Sequence, residues 1–143
     1  MTSQTRTAYR VFSLGLAVIF ALVGGVFLVL PREMIAFFNG ISRSLGMVEA
    51  PPAGRSFFGV LAVAYMTVVT ILAWRMYRSP AEKIYPLLLG QAKVASSLLS
   101  FLMFAFHAPW LVYLVNGIVD GGLGTIVLAM YLGMRRGAGR DGA

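Results

Sequence analysis

Two stretches decide what this chain can become. Residues 11–30 (VFSLGLAVIFALVGGVFLVL) and 57–74 (FFGVLAVAYMTVVTILAW) contain no charged side chain. As helices rising 1.5 Å per residue they would be about 30 and 27 Å long, the thickness of a bilayer core. Neither shows the short alternating pattern of a membrane β-strand. A third apolar run, 84–106, is interrupted by Gln91 and Lys93, and a fourth, 110–134, by Asn116 and Asp120.

Composition settles whether four such helices could hide inside a soluble core. The chain is 59% hydrophobic and 12% charged, against roughly 25% charged in a soluble domain. Four spans of about 20 residues leave too little polar sequence to cover them in water. The fold class expected is all-α: an integral membrane four-helix bundle over 1–134, followed by a short basic tail, 135–143. A cleaved signal peptide is the rival reading of the first run. A signal's apolar region is only about 7–15 residues long, and no clear small-x-small cleavage site follows, so a retained helix is preferred. Cysteine is absent, which excludes disulfides and thiolate metal sites.

The net charge of +7 does not mark a nucleic-acid binder, because the basic residues sit singly or in pairs between apolar runs. They act as topology signals. The N-terminus, the loop over 75–83 and the C-terminus share one side, with Arg6, Arg10, Arg75, Arg78, Lys83, Arg135, Arg136 and Arg140; the other side has Arg32, Arg43 and Arg55. Eight against three places both termini in the cytoplasm of a cell's plasma (inner) membrane. Tyr9, Trp74, Tyr77, Tyr85, Trp110 and Tyr131 fall near span ends, where amphipathic rings anchor a helix.

The loop over 31–56 divides in two. Its first part, PREMIAFFNG, reads as about two turns of helix entered at Pro31 and ended near Asn39-Gly40. With Phe37 and Phe38 it is expected to lie in the membrane interface or to lid the bundle. The second part should turn stiffly at Pro51-Pro52. Glu33 and Glu49 are weak cation candidates. Between the last two runs only His107, Ala108 and Pro109 remain, which forces an antiparallel hairpin with Pro109 in the first turn of the fourth helix.

The intramembrane polar residues carry the most information. A charge near the bilayer centre costs about 2.5–3.5 kcal/mol on insertion scales. Lys93 lies 14 residues before His107 and Asp120 lies 13 after it, so both stand at one depth on adjacent antiparallel helices. Ser97 and Ser100 share the Lys93 face, with Ser96 and Gln91 close by; Asn116 is one turn from Asp120, and Gly117, Gly121 and Gly124 allow close approach. The site expected is therefore a polar seam of Lys93, Asp120, Asn116, Gln91, Ser97 and Ser100. It is either a structural ion pair or the lining of a ligand pocket or ion path. His107, the single histidine, reads as a polar turn residue.

No HExxH, P-loop, dinucleotide-binding glycine pattern or credible Ser-His-Asp set is present, so no catalytic or metal-ligating residue is assigned and the cofactor stays unknown. Four short helices, Arg55 in GRSFFGVLAV, the lysine helix GQAKVASSLLSF and the aspartate helix VDGGLGTIVL resemble the small four-helix membrane proteins grouped as DoxX-like. That resemblance implies an accessory role and carries no catalytic residue across. The sequence thus points to an accessory subunit or a binder of a small hydrophobic ligand (lipid or quinone). The alternative is a small homo-oligomeric transporter or ion or proton pathway using Lys93 and Asp120. Expected partners are membrane lipids and a protein partner or second copy, with no nucleic acid.

Overall fold

The computed structural model describes residues 3–51 and 57–138. Five helices follow in order: α1 (Ser3–Val29), α2 (Pro31–Ser44), α3 (Phe57–Arg78), α4 (Ile84–Phe106) and α5 (Leu111–Ala138). Four of them contain stretches long and apolar enough to cross a membrane: Arg6–Val29, Gly59–Arg78, Ile84–Phe106 and Leu111–Gly133. Of 18 consecutive apolar-rich residues within each stretch, only 22–28% are buried inside the bundle. Val18, Ile19, Leu22, Val60, Val68, Leu98, Leu99 and Ile118 all point outward. Surfaces of that kind are at home against lipid and costly in water. The chain is a small, highly helical membrane-spanning protein.

Packing follows helical spacing. On α1 the buried residues Tyr9, Ser13, Leu16, Ala17 and Phe20 form one stripe, and Met66, Val69, Ala73 and Met76 form its counterpart on α3. α1 packs along α3, α4 along α5, and α3 against α4 joins the two pairs. Gly24 is where α1 comes nearest α3: a Cβ built there would lie 3.0 Å from the Met66 Cβ. Its neighbour Gly25 has open space.

Pro31 separates α1 from α2. It disfavours helical geometry at Leu30 (φ −125°, ψ 47°) and then occupies the first position of the next helix, where its missing N–H costs nothing. α2 continues past Asn39-Gly40, where the sequence suggested a stop. Its true stop is Gly46 at φ 66°. There the Gly46 N–H bonds the Arg43 carbonyl (3.3 Å) and the Met47 N–H bonds the Ser42 carbonyl (2.8 Å). That is the paired-bond, left-handed helix ending that glycine favours. Asn39 is engaged elsewhere: its amide donates to the Ala50 carbonyl (2.7 Å) and accepts from the Ala50 N–H (2.9 Å), fastening the returning chain to α2. The helix touches the ends of α1 and α5 and leaves Phe37, Ile41 and Leu45 exposed at four-residue spacing, an apolar stripe suited to the interface.

The bends expected at Pro52, and Arg55 itself, lie outside the described residues, as does the tail over 139–143. The last helix runs four residues beyond the expected span end, to Ala138. Pro109 stands two positions before Leu111 rather than in the first turn; the first helical bond is accepted by the Trp110 carbonyl, from the Leu114 N–H at 3.5 Å.

Candidate functional site

The four spanning helices converge on one charged contact. Lys93 Nζ donates to Asp120 Oδ1 at 2.8 Å, and the residues are 2% and 4% exposed. The ammonium also faces two aromatic rings, 4.4 Å from the centroid of Phe20 and 5.2 Å from that of Tyr65. So α1, α3 and α5 each place one side chain around the Lys93 head group, which α4 supplies. The Tyr65 hydroxyl donates to the Ala92 carbonyl at 3.1 Å, which holds its ring in place. A cation over ring faces is attracted by their quadrupoles, most strongly when desolvated.

On the side of the pair toward the His107 turn, separate hydrogen bonds cross between α4 and α5. Ser97 Oγ donates to the Gly117 carbonyl at 2.7 Å. One turn on, Asn116 Nδ2 donates to Ser100 Oγ at 2.7 Å and to Ser96 Oγ at 3.3 Å. Ser97 and Ser100 are buried, and Asn116 is exposed on the flank of the helix pair. Polar groups therefore reach from the buried pair to the surface of the bundle within one half of its length.

The other direction is apolar and tight. A Cβ at Gly90 would lie 2.6 Å from Leu128 Cδ2, and one at Gly124 would lie 3.1 Å from the Val94 backbone nitrogen. Leu89 and Val127 are wholly buried there. At the level of the seam itself, a Cβ at Gly121 would stand 2.8 Å from Ser97 Oγ. The glycines bring the two backbones so close that no ring-sized ligand fits between α4 and α5.

Five of the six seam residues expected from sequence thus come together: Lys93, Asp120, Asn116, Ser97 and Ser100. Gln91 does not join them. It is two residues from Lys93, about 200° around the helix, and lies on the exposed side of α4. Phe20 and Tyr65 were not singled out as site residues, yet the sequence holds a signal for them. Phe20 is ten residues after Arg10, Tyr65 ten before Arg75, and Lys93 ten after Lys83. Counting inward from the basic residue at the end of each span would have placed all three at one depth.

Two other expectations change. Tyr9 is 3% exposed and its hydroxyl has no hydrogen-bond partner among the described residues, so it packs inside the bundle instead of anchoring at the interface. Ser13, one turn on, donates to the Tyr9 carbonyl at 2.8 Å. Glu49 is taken by Arg43, whose Nε and Nη2 donate to its two carboxylate oxygens at 3.0 and 3.1 Å. That hydrogen-bonded guanidinium holds the Glu49 carboxyl below the ordinary carboxylate range. Among the described residues no cluster of acidic, histidine or cysteine side chains could hold a metal ion. His107 is exposed, its ring edge-on to Trp110 at 5.9 Å. No protein family, no curated protein and no solved structure matches the chain.

Proposed function

We propose that this protein conducts protons or a small cation across the membrane, with the Lys93–Asp120 pair as the gate at the end of a polar half-path. The observation that carries the reading is the asymmetry of the seam. The polar side chains Ser97, Ser100 and Asn116 lie on the His107 side of the pair, while Leu89, Val127 and Leu128 pack the opposite side. Ionisable residues within a membrane mark ion and proton routes. A 2.8 Å N–H···O contact lets one proton transfer convert the charged pair into a neutral pair. The two arrangements differ in local charge, and that is what a gate requires. We place the Arg75–Lys83 side in the cytoplasm on the charge bias, so the polar half of the seam is the half nearer the outside.

The tight α4–α5 contact argues against the binder of a lipid or quinone at this seam. The accessory-subunit reading, to which the DoxX-like resemblance leans, has its own support. Thr125, Ala129 and Gly133 stand at four-residue spacing on the exposed face of α5, and Gly133 has open space above it. Small residues of this kind let another helix approach, whether from a second copy or from another subunit.

The test is ion flux in sealed vesicles. Purified protein is reconstituted around a pH-sensitive dye, and a potassium diffusion potential is applied with valinomycin. With potassium leaving and the lumen negative, wild-type protein should let protons enter and shift the dye faster than in empty vesicles, and Asp120→Asn should abolish the difference. Flux equal to that of empty vesicles, together with a stoichiometric partner retained on purification, would favour the accessory subunit.

A further inference from the structure

The end of the bundle that holds Arg10 and Tyr77 offers a second, separate site. Ile71, Trp74, Arg75 and Arg78 stand at i, i+3, i+4 and i+7, so they line one face of the last two turns of α3. Together with Ser79 they border an open cleft of ≈ 640 Å³. Arg75 and Arg78 are exposed, and Trp74 is 45% exposed. Among the described residues the ion pairs are Arg43–Glu49 and Lys93–Asp120, so neither arginine of the cleft is neutralised by a carboxylate. Arg10 adds to the positive charge nearby, its guanidinium 4.9 Å from the Tyr77 ring, which itself lies 5.3 Å from Trp74.

A basic last turn is favourable to any helix, since cations offset the partial negative charge of its final carbonyls. That alone does not call for an indole wall or for an order of residues along the axis. Here the order is informative. Ile71 lies deepest in the span, Trp74 and Arg75 follow about one turn further out, and Arg78 and Ser79 come last, about 12 Å from Ile71. Apolar, amphipathic and cationic groups succeed one another over the distance from the first acyl methylenes of a phospholipid to its phosphate. A free phosphate ion would use only the outer part.

We propose that this cleft binds the phosphodiester headgroup of an anionic phospholipid. The Arg75 and Arg78 guanidinium groups donate to the phosphate oxygens, the Ser79 hydroxyl supplies a further donor, and Trp74 and Ile71 pack along the glycerol and upper acyl chain. Basic clefts at the ends of membrane helices are recognised lipid headgroup sites, and planar guanidinium groups suit phosphate geometry. The site is independent of what the Lys93–Asp120 seam does.

Binding is measured on intact protein in neutral detergent by native mass spectrometry, with thermal unfolding as a second readout. The probes are phosphatidylglycerol, phosphatidylcholine and inorganic phosphate. Phosphatidylglycerol should bind and raise the unfolding temperature, and phosphatidylcholine should do neither. Arg75→Gln should weaken phosphatidylglycerol about five-fold, and Arg75→Gln with Arg78→Gln about thirty-fold. Arg32→Gln, which removes the same charge from an exposed site on α2, should leave binding unchanged. Equal affinity of the double variant and wild type would overturn the proposal, as would equal loss in the Arg32 variant. Protection by inorganic phosphate as strong as by phosphatidylglycerol would assign the cleft to a soluble anion and also overturn it.

Discussion

Removing one member of the Lys93–Asp120 pair should cost far more than removing both. Lys93→Met leaves Asp120, 4% exposed, without its hydrogen-bond donor. Stripping one partner from a buried ion pair costs about 3–5 kcal/mol in soluble proteins. The figure falls toward the lower end here, because unfolded membrane helices stay inserted and find other partners. About 3 kcal/mol is expected for Lys93→Met. Asp120→Leu should cost less, about 2 kcal/mol, because the ammonium keeps the Phe20 and Tyr65 faces at 4.4 and 5.2 Å, and such contacts are worth about 0.5–2 kcal/mol. The double variant removes both charges together, and well-packed apolar replacements of a buried pair are often neutral or stabilising. It should fall within about 1 kcal/mol of wild type. The coupling energy is then about 4–6 kcal/mol, above the usual range for residues in contact. Unfolding in mixed micelles with increasing dodecyl sulfate, followed by circular dichroism, gives all four corners of the cycle. Single-variant costs that add to the double within about 0.5 kcal/mol would show that the two charges are energetically independent and would refute the reasoning.

Close packing makes a second comparison. Gly124→Ala should destabilise by about 1–3 kcal/mol, because its new methyl group meets the Val94 nitrogen and the Gly90 carbonyl at 3.1 and 3.3 Å and backbone cannot yield. Gly122→Ala, with open space above it, should unfold within about 0.5 kcal/mol of wild type in the same micelles. Tyr9→Phe should be neutral or stabilising, because it deletes a buried hydroxyl with no partner; a loss above about 1 kcal/mol in that assay would show that the hydroxyl is used. Glu49 is held below the ordinary carboxylate range by Arg43, so its contribution to loop order is present at neutral pH, declines as pH falls below the ordinary carboxylate range, and is gone below the lowered value. Amide protection at Met47–Ala50, corrected for the intrinsic exchange rate at each pH, should decline as pH falls below the ordinary carboxylate range, whereas Glu49→Gln should show low protection with no such pH dependence.

The spans were legible because a bilayer imposes length and excludes charge. The third run and α4 share the bounds 84–106. The equal depth of Lys93 and Asp120 was legible too, since a three-residue link leaves two helices no freedom of register. Harder to read were features set by contacts between distant parts of the chain. Asn39-Gly40 looks like a helix stop, but the Asn39 side chain binds the Ala50 backbone and the helix runs on to the glycine at 46. Tyr9 looks like an interfacial anchor because it follows Arg6 and precedes Arg10, yet it sits on the same stripe as Ser13, Leu16 and Phe20 and is drawn inside by α1–α3 packing. Gln91 has the right polarity for the seam and the wrong angle. For Tyr9 and Gln91 residue type suggested a role that helical phase decided otherwise, and for Asn39 a tertiary contact did.

If the buried pair is the gate of a conducting seam, flux must depend on its two charges. Proton flux through vesicles containing the Lys93→Met, Asp120→Leu double variant tests this most directly, because that variant should remain folded. Wild-type protein should carry protons well above the rate of empty vesicles, and the folded double variant should carry none above that rate. A folded double variant that conducts like wild type would contradict the account.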